Sequence, residues 1–313
     1  MLRLGASLGC ETVADRRVIV GVEWADGLPS VRVRYNDHIA SGLVPLLGLQ
    51  LNHRAAADSP RVCLGHRPFR SGGPSYVDCV QRPQPGSRNC RSCAVIEATF
   101  ASNLHHAHTK EDVGVDPTMA AHLRQPNLLY LAAFRDGSMK VGTSTERRLD
   151  TRLAEQGAWL ARVVAWVPDG ITVRLLEDHV TERLGLTQAV SANRKLKGLL
   201  QPQPDHQLTA ELDGHRDDIH RLIVDSDTIE PMDDAWQHPR SDKGDWSQLH
   251  RYPGDLATGA HDLVVTNACG RLVLVNRPGG DDRFVADLQK IYGLQTEIGD
   301  FGSQPLAVQD SLF

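Results

Sequence analysis

The hydrophobic pattern is clearest between Leu128 and Asn193. Leu128–Phe134 is a short apolar run bounded by Gln125-Pro126-Asn127 before and Asp136-Gly137 after, which predicts a strand entering a hairpin turn. Met139–Ser144 predicts the returning strand. Thr143, Ser144 and Thr145 then offer N-caps for a helix over Glu146–Gln156, ended by Gly157. On that helix Arg148 and Arg152 lie four apart and share a face, as do Leu149 and Leu153. Ala161–Val167 predicts a third strand, stopped by Pro168-Asp169-Gly170. A second helix is expected from about Ile171 to Leu184, with Glu177 in its middle and Gly185 as its stop. The basic segment Asn193-Arg194-Lys195-Leu196-Lys197 follows.

Outside this stretch the pattern is weaker. Val18–Val22 and Val31–Tyr35, separated by Asp26-Gly27-Leu28-Pro29, predict a β hairpin, with Val44–Leu51 as a further element. Residues 198–215, with Gln201-Pro202-Gln203-Pro204, read as a linker. Residues 208–230 read as a strand followed by a short helix over Asp217–Val224. Leu263-Val264-Val265, a turn at Asn267–Gly270 and Leu272–Val275 predict another hairpin, and Phe284–Tyr292 a helix.

Length and charge change this picture little. A chain of 313 residues can bury a full core and hold two or three modules. The expected division is an N-terminal β-rich module (1–60), a Cys-rich module (61–124), a core (125–200) and an acidic C-terminal α+β module (205–313). No apolar run reaches membrane-spanning length, and Met1-Leu2-Arg3-Leu4-Gly5 lacks a signal-peptide core, so the expectation is a cytoplasmic protein without a membrane partner. The net charge of −5 is uneven: residues 130–204 carry eleven Lys/Arg against eight Asp/Glu, and residues 205–313 carry nine against twenty. A mildly basic middle suits a polyanion, while the acidic third reads first as a solvated surface.

Residues 61–109 are rich in Gly, Pro, Arg and Ser and hold four of the six cysteines, Cys63, Cys79, Cys90 and Cys93. Such sequence builds little apolar core, and a tetrahedral thiolate site can replace one, so structural Zn²⁺ on these four cysteines is expected. Four thiolates leave no open position for catalysis. His66 forms a Cys-x-x-His with Cys63, and His105, His106 and His108 are reserve ligands. A redox role for Cys90-Arg91-Ser92-Cys93 lacks a βαβ context. Cys10 and Cys269 read as incidental.

The ordered set resembles the GIY-YIG nuclease superfamily: a strand with Tyr, a hairpin, a second strand ending in Lys140-Val141-Gly142, an Arg-bearing helix, a third strand, a Glu-bearing helix and then Asn. Leu129-Tyr130-Leu131 stands for the first triplet. The run Thr151–Ala158 is similar to an uncharacterised domain family in which a Cys-rich module precedes a GIY-YIG-like core. The resemblance covers residues 60–200. It implies metal-dependent phosphodiester cleavage of DNA or RNA, with Glu177 holding Mg²⁺ or Mn²⁺, Arg148 and Arg152 facing the phosphate, Asn193 orienting the site and Tyr130 positioning water. The departure is Lys140, where many members carry Tyr; it resembles a restriction-enzyme branch. As a base, Lys140 needs a lowered pKa.

Each residue also has a structural reading. Tyr130 suits a core, Arg148 and Arg152 can pair with Glu155 or Asp150, Glu177 stands among Asp178 and Glu182, and Lys140 can protect a sheet edge. Three classes therefore compete. A nuclease requires Lys140, Arg152 and Glu177 to converge on one cleft. A non-cleaving nucleic-acid-binding or interaction protein predicts Glu177 paired off or the cleft closed by the acidic third. An enzyme for a small anionic substrate predicts a deep closed pocket. The fold expectation is α/β (α+β in detail): a small mixed sheet flanked by helices, with a zinc-binding module and flanking β-rich modules.

Overall fold

The computed structural model describes residues 15–36, 38–56, 58–68, 76–105 and 117–302. It is mixed α+β. In chain order the elements are β1 (Arg16–Ala25), β2 (Leu28–Tyr35), β3 (Gly42–Pro45), β4 (His53–Ala55), α1 (Arg91–His105), α2 (Pro117–Leu123), β5 (Asn127–Ala133), β6 (Met139–Ser144), α3 (Leu149–Gln156), β7 (Leu160–Val167), α4 (Gly170–Leu184), α5 (Ala192–Leu200), α6 (Asp205–Ile223), β8 (Glu230–Gln237), β9 (His250–Arg251), β10 (Gly259–His261), β11 (Val264–Cys269), β12 (Leu272–Asn276), β13 (Arg283–Asp287) and β14 (Gln295–Ile298). Cys10, His106 and His108 lie outside the described residues, as does the side chain of His105.

The central sheet has the order β6-β5-β7-β8, and each neighbouring pair is antiparallel. The period of two in β5 sorts its side chains. Leu129, Leu131 and Ala133 face the larger core, which α4 and α6 supply with Val173, Val180, Leu208 and Leu212. Tyr130, Ala132 and Phe134 face the other way, toward Leu153 of α3. Two glycines close the helices beneath, Gly157 after α3 and Gly185 after α4, both left-handed at φ 68° and 67°. The N-cap of α4 is Asp169, whose carboxylate accepts from Ile171 N and Thr172 N.

The two ends of the chain share a second sheet of order β10-β4-β14-β1-β2-β3, and a third, β11-β12-β13-β9, packs beside it. The division at 60 and 205 is therefore corrected. β1 pairs with β14 near the far end of the chain, α6 covers the central sheet, and β8 is its fourth strand. The supposed linker over 198–215 and strand-then-helix over 208–230 are mostly one helix: α6 starts directly after Pro204 and buries Leu208, Leu212, Ile219 and Ile223 along one stripe. Phe284–Tyr292 is not a helix. It is β13 followed by a 3-10 turn at Leu288–Ile291, because Phe284 and Ala286 enter one core while Val285 enters the other. A run buried on both faces carries no period to separate strand from helix.

Candidate functional site

Four elements bring charged side chains to one place at the edge of the central sheet. In the β5–β6 register Tyr130 faces Gly142 and Ala132 faces Lys140, so Tyr130 and Lys140 are diagonal neighbours on one face. Tyr130 is fully buried, and its ring lies directly over Gly142; a Cβ at 142 would come within 2.5 Å of the phenol. Glycine there is what lets the ring lie flat against β6. The phenol oxygen accepts from Arg152 Nε at 3.3 Å and Gln156 Nε2 at 3.1 Å, both from α3.

Lys140 is 7% exposed. Its Nζ donates to the Gln188 carbonyl at 3.1 Å and lies 5.9 Å from the centre of the Tyr130 ring. Burial pushes its pKa down to about 8, helped by the positive charges of Arg152 and Arg174 and opposed by Glu177. Glu177, buried on α4, accepts from Arg174 Nη1 at 2.6 Å, one turn away on the same helix. Lys195 of α5 closes the group from the other side. Its Nζ donates to the Gln156 carbonyl at 2.7 Å and sits 4.8 Å from the Phe134 ring centre, and burial together with Lys140 brings its pKa down to about 8.

The structure thus brings together Tyr130, Lys140 and Arg152, with Glu177 of α4 within electrostatic reach of Lys140. It does not bring in the remaining two candidates in the same way. Arg148 pairs with Glu155 at 3.3 Å, the structural alternative weighed for it, and Asn193 is exposed on α5. Sequence reasoning missed Gln156, Arg174 and Lys195. Each carried a spacing signal: Gln156 is four after Arg152, Arg174 is three before Glu177, and Lys195 lies in the basic segment. The arrangement is a group of four cations, Lys140, Arg152, Arg174 and Lys195, with one carboxylate, Glu177, paired to Arg174; Lys140 and Glu177 are buried and the other three partly so. Such a group attracts an anion and holds a lysine near its neutral form. Two cavities, of about 580 and 170 Å³, lie elsewhere and are not lined by these residues.

The second constellation is Cys63, Cys79, Cys90 and Cys93, whose sulfurs all lie within 4.8 Å of one another. The Cys79–Cys90 separation of 3.8 Å matches the edge of a tetrahedron with metal–sulfur bonds of about 2.3 Å. Backbone N–H groups of Gly65 and Cys90 donate to Cys63 Sγ at 3.3 and 3.1 Å, and His66 Nδ1 approaches Cys93 Sγ at 3.3 Å. Such donors favour thiolates. Cys90 and Cys93 sit at the start of α1, where the helix dipole also favours negative charge. The cluster could hold a metal ion. The Arg34 guanidinium bonds the carbonyls of Cys79 and Cys63 at 2.7 and 3.1 Å and ties it to β2. Among the described residues no helix is long and apolar enough to cross a membrane.

An antiparallel sheet with a buried cationic site, joined to a four-cysteine cluster, defines the class of protein. The particular family follows from its sequence: a family model described as Protein of unknown function (DUF2797) matches residues 79–249, over half of the chain, and the chain belongs to that family. The match takes in β5 to β8, the whole cationic site and three of the four cysteines, and leaves out β1 to β4, Cys63 and the strands after Leu249. No curated protein and no solved structure matches the chain.

Proposed function

We propose that this protein is a metal-dependent nuclease of GIY-YIG type, cutting phosphodiester bonds in DNA or RNA, with Zn²⁺ on the four cysteines as a structural element. The observation that carries the reading is the cluster of Tyr130, Lys140 and Arg152 from β5, β6 and α3, with Glu177 of α4 within electrostatic reach of Lys140. Arg152 and Lys195 supply positive charge for a phosphate. Lys140 in its neutral form takes a proton from the attacking water, and Tyr130, fixed by Arg152 and Gln156, positions that water.

Glu177 is the single carboxylate of the site. One carboxylate fits a cation such as Mg²⁺ that keeps several waters and takes its other oxygens from substrate phosphate. When bound, that cation polarises the phosphoryl oxygen and acidifies water. The test compares cleavage of labelled branched, single-stranded and duplex DNA and RNA by wild type and Glu177→Ala, with Mg²⁺ or Mn²⁺. Cleavage by wild type that vanishes in the variant is expected; cleavage that survives the substitution removes Glu177 from the mechanism.

One observation favours a second reading, a non-cleaving nucleic-acid-binding protein on the same fold. Arg174 already occupies Glu177 through a buried ion pair. In that reading wild type binds oligonucleotides, cuts none, and shows no Mn²⁺ binding at Glu177, whereas Arg174→Ala creates it.

A further inference from the structure

The larger cavity is a groove of about 580 Å³ between α5 and the third sheet, and no residue of the Tyr130 cluster lines it. Its apolar wall comes from Leu196 of α5, Val285 of β13, and Pro253 and Leu256 in the loop after β9. A cleft of roughly 300–1,000 Å³ with an apolar wall and a few fixed polar groups is the common form of a small-molecule site. Two kinds of polar group meet that description here.

The first is Tyr252, a groove residue that is otherwise buried. Its phenol oxygen lies 2.8 Å from His261 Nδ1. His261 Nε2 faces the carbonyl oxygens of Thr258 and Asp255 at 2.9 and 3.0 Å. Carbonyls only accept, so in the neutral ring Nε2 carries the proton, Nδ1 is the acceptor and the Tyr252 O–H is the donor. The single phenol proton is thereby committed, and toward a ligand the oxygen can only accept. Gly254, also in the groove wall, puts no side chain over it: a Cβ there would stand 3.1 Å from the phenol oxygen and 2.9 Å from the ring edge. The imidazole packs on His53, its cross-strand partner, with ring centres 4.9 Å apart. The second kind is a pair of exposed cations, Arg251 of β9 and Lys290 of the 3-10 turn after β13. The two carboxylates in the wall are engaged, Asp287 by Arg271 and the Gln289 N–H, Asp255 by the Ala257 N–H.

We propose that this groove binds a small organic anion with an apolar body and a hydroxyl or N–H donor, its charge held by Arg251 and Lys290 and its donor received by the Tyr252 oxygen. Each part of the ligand answers a part of the wall. The cations ask for an anion, Leu196, Pro253, Leu256 and Val285 for an apolar body, and a phenol that can only accept for a donor. Inorganic phosphate would satisfy the cations alone and leave the apolar wall wet. The site is separate from the Tyr130 cluster and does not rest on the nuclease reading.

The test is calorimetric titration of the full chain with benzoate, 3-hydroxybenzoate, 4-hydroxybenzoate and inorganic phosphate, the two hydroxy acids offering the donor at two distances from the charge. One hydroxybenzoate is expected to bind about fivefold tighter than benzoate, the effect of one hydrogen bond. Phosphate is expected to bind about tenfold weaker than benzoate, for want of an apolar body. Tyr252→Phe removes the advantage of the hydroxyl and leaves benzoate binding as it was, a result that general loosening of the fold would not give. Arg251→Ala with Lys290→Ala, both at exposed positions, weakens all the benzoates about tenfold. Arg221→Ala, an exposed arginine of α6 paired to Asp218, changes nothing. If circular dichroism shows that Tyr252→Phe misfolds, Gly254→Ala tests the same contact, because its methyl would press on the phenol and is expected to cancel the hydroxyl's advantage. No binding of any benzoate by wild type overturns the site. So does binding that the loss of both cations leaves unaltered, or a hydroxyl advantage that persists in Tyr252→Phe. Phosphate binding as tightly as benzoate overturns it too, and reduces the groove to a place for an adventitious ion only.

Discussion

The cysteine cluster and the Tyr130–Glu177 cluster each gather four side chains from separated segments, and they are held in opposite ways. Around the cysteines the buried apolar group consists of Cys63, Cys90 and Cys93, with Cys79 against them. Among the described residues no aliphatic side chain belongs to that group. The Tyr130 side of the central sheet instead rests on Phe134, Leu153, Ala158 and Ala161, and its reverse face on the largest core of the molecule. On the proposed zinc reading the first site depends on its ligand for its shape, whereas the second rests on packing that exists before any ligand arrives.

Metal removal therefore sharpens the contrast most. Structural Zn²⁺ contributes about 10–16 kcal/mol in isolated peptides, far more than the few kcal/mol by which a domain is stable. Chelation is expected to strip amide-exchange protection from the segment between Cys63 and Cys93, while β5 and β7 retain theirs. The polar anchors of that segment, Arg34 to two of its carbonyls, Ser41 to Asp78 and Arg67 to Glu23, are not expected to hold it alone. Full protection of that segment after verified metal loss would erase the distinction.

The next effect breaks the packed site from within. Gly142→Ala places a methyl 2.5 Å from the Tyr130 phenol, and that ring is fully buried with nowhere to turn. A loss of about 2–3 kcal/mol is expected in urea denaturation, typical of overpacking. An unchanged midpoint would mean that the Tyr130 ring is free to move, and the site then lacks the rigidity assigned to it.

How much of this was legible beforehand follows the same divide. The central sheet was readable because its signals are local. Asp136-Gly137 marks a hairpin, Gly157 and Gly185 end helices, and both cluster residues on β5 and β6 sit within one hairpin. The four cysteines were readable by residue type, since little else in that segment can be buried. The sheet joining the chain ends was not. Arg17 pairs with Thr296, and no short-range pattern encodes a partner that distant. Lys195 was hidden for another reason: inside a run of basic residues, only the helical phase of α5 decides that Lys195 turns inward while Arg194 and Lys197 stay exposed.

The smallest effect concerns the charge that packing tolerates. Lys140 has a pKa brought down to about 8 from 10.5, chiefly by burial, so at neutral pH it is still charged in both folded and unfolded chains and the folded chain bears the desolvation cost. The unfolded chain binds the extra proton only between about 8 and 10.5, so wild-type stability rises with pH across that window. Lys140→Met keeps the bulk and removes the charge. It is expected to be more stable than wild type by about 1 kcal/mol below pH 8, after losing the bond to the Gln188 carbonyl, with the difference shrinking above pH 8. Lys195 contributes a rise of its own to both proteins, smaller in the variant because the Lys140 charge that helps to lower its pKa is gone. Cleavage should run the other way: as a base Lys140 acts only when neutral, so the wild-type rate climbs toward pH 8 and levels beyond it, and the Met variant is inactive throughout. A variant that is both less stable and fully active would assign Lys140 to the architecture of the sheet edge, and the cationic site would lose its chemistry while keeping its charge.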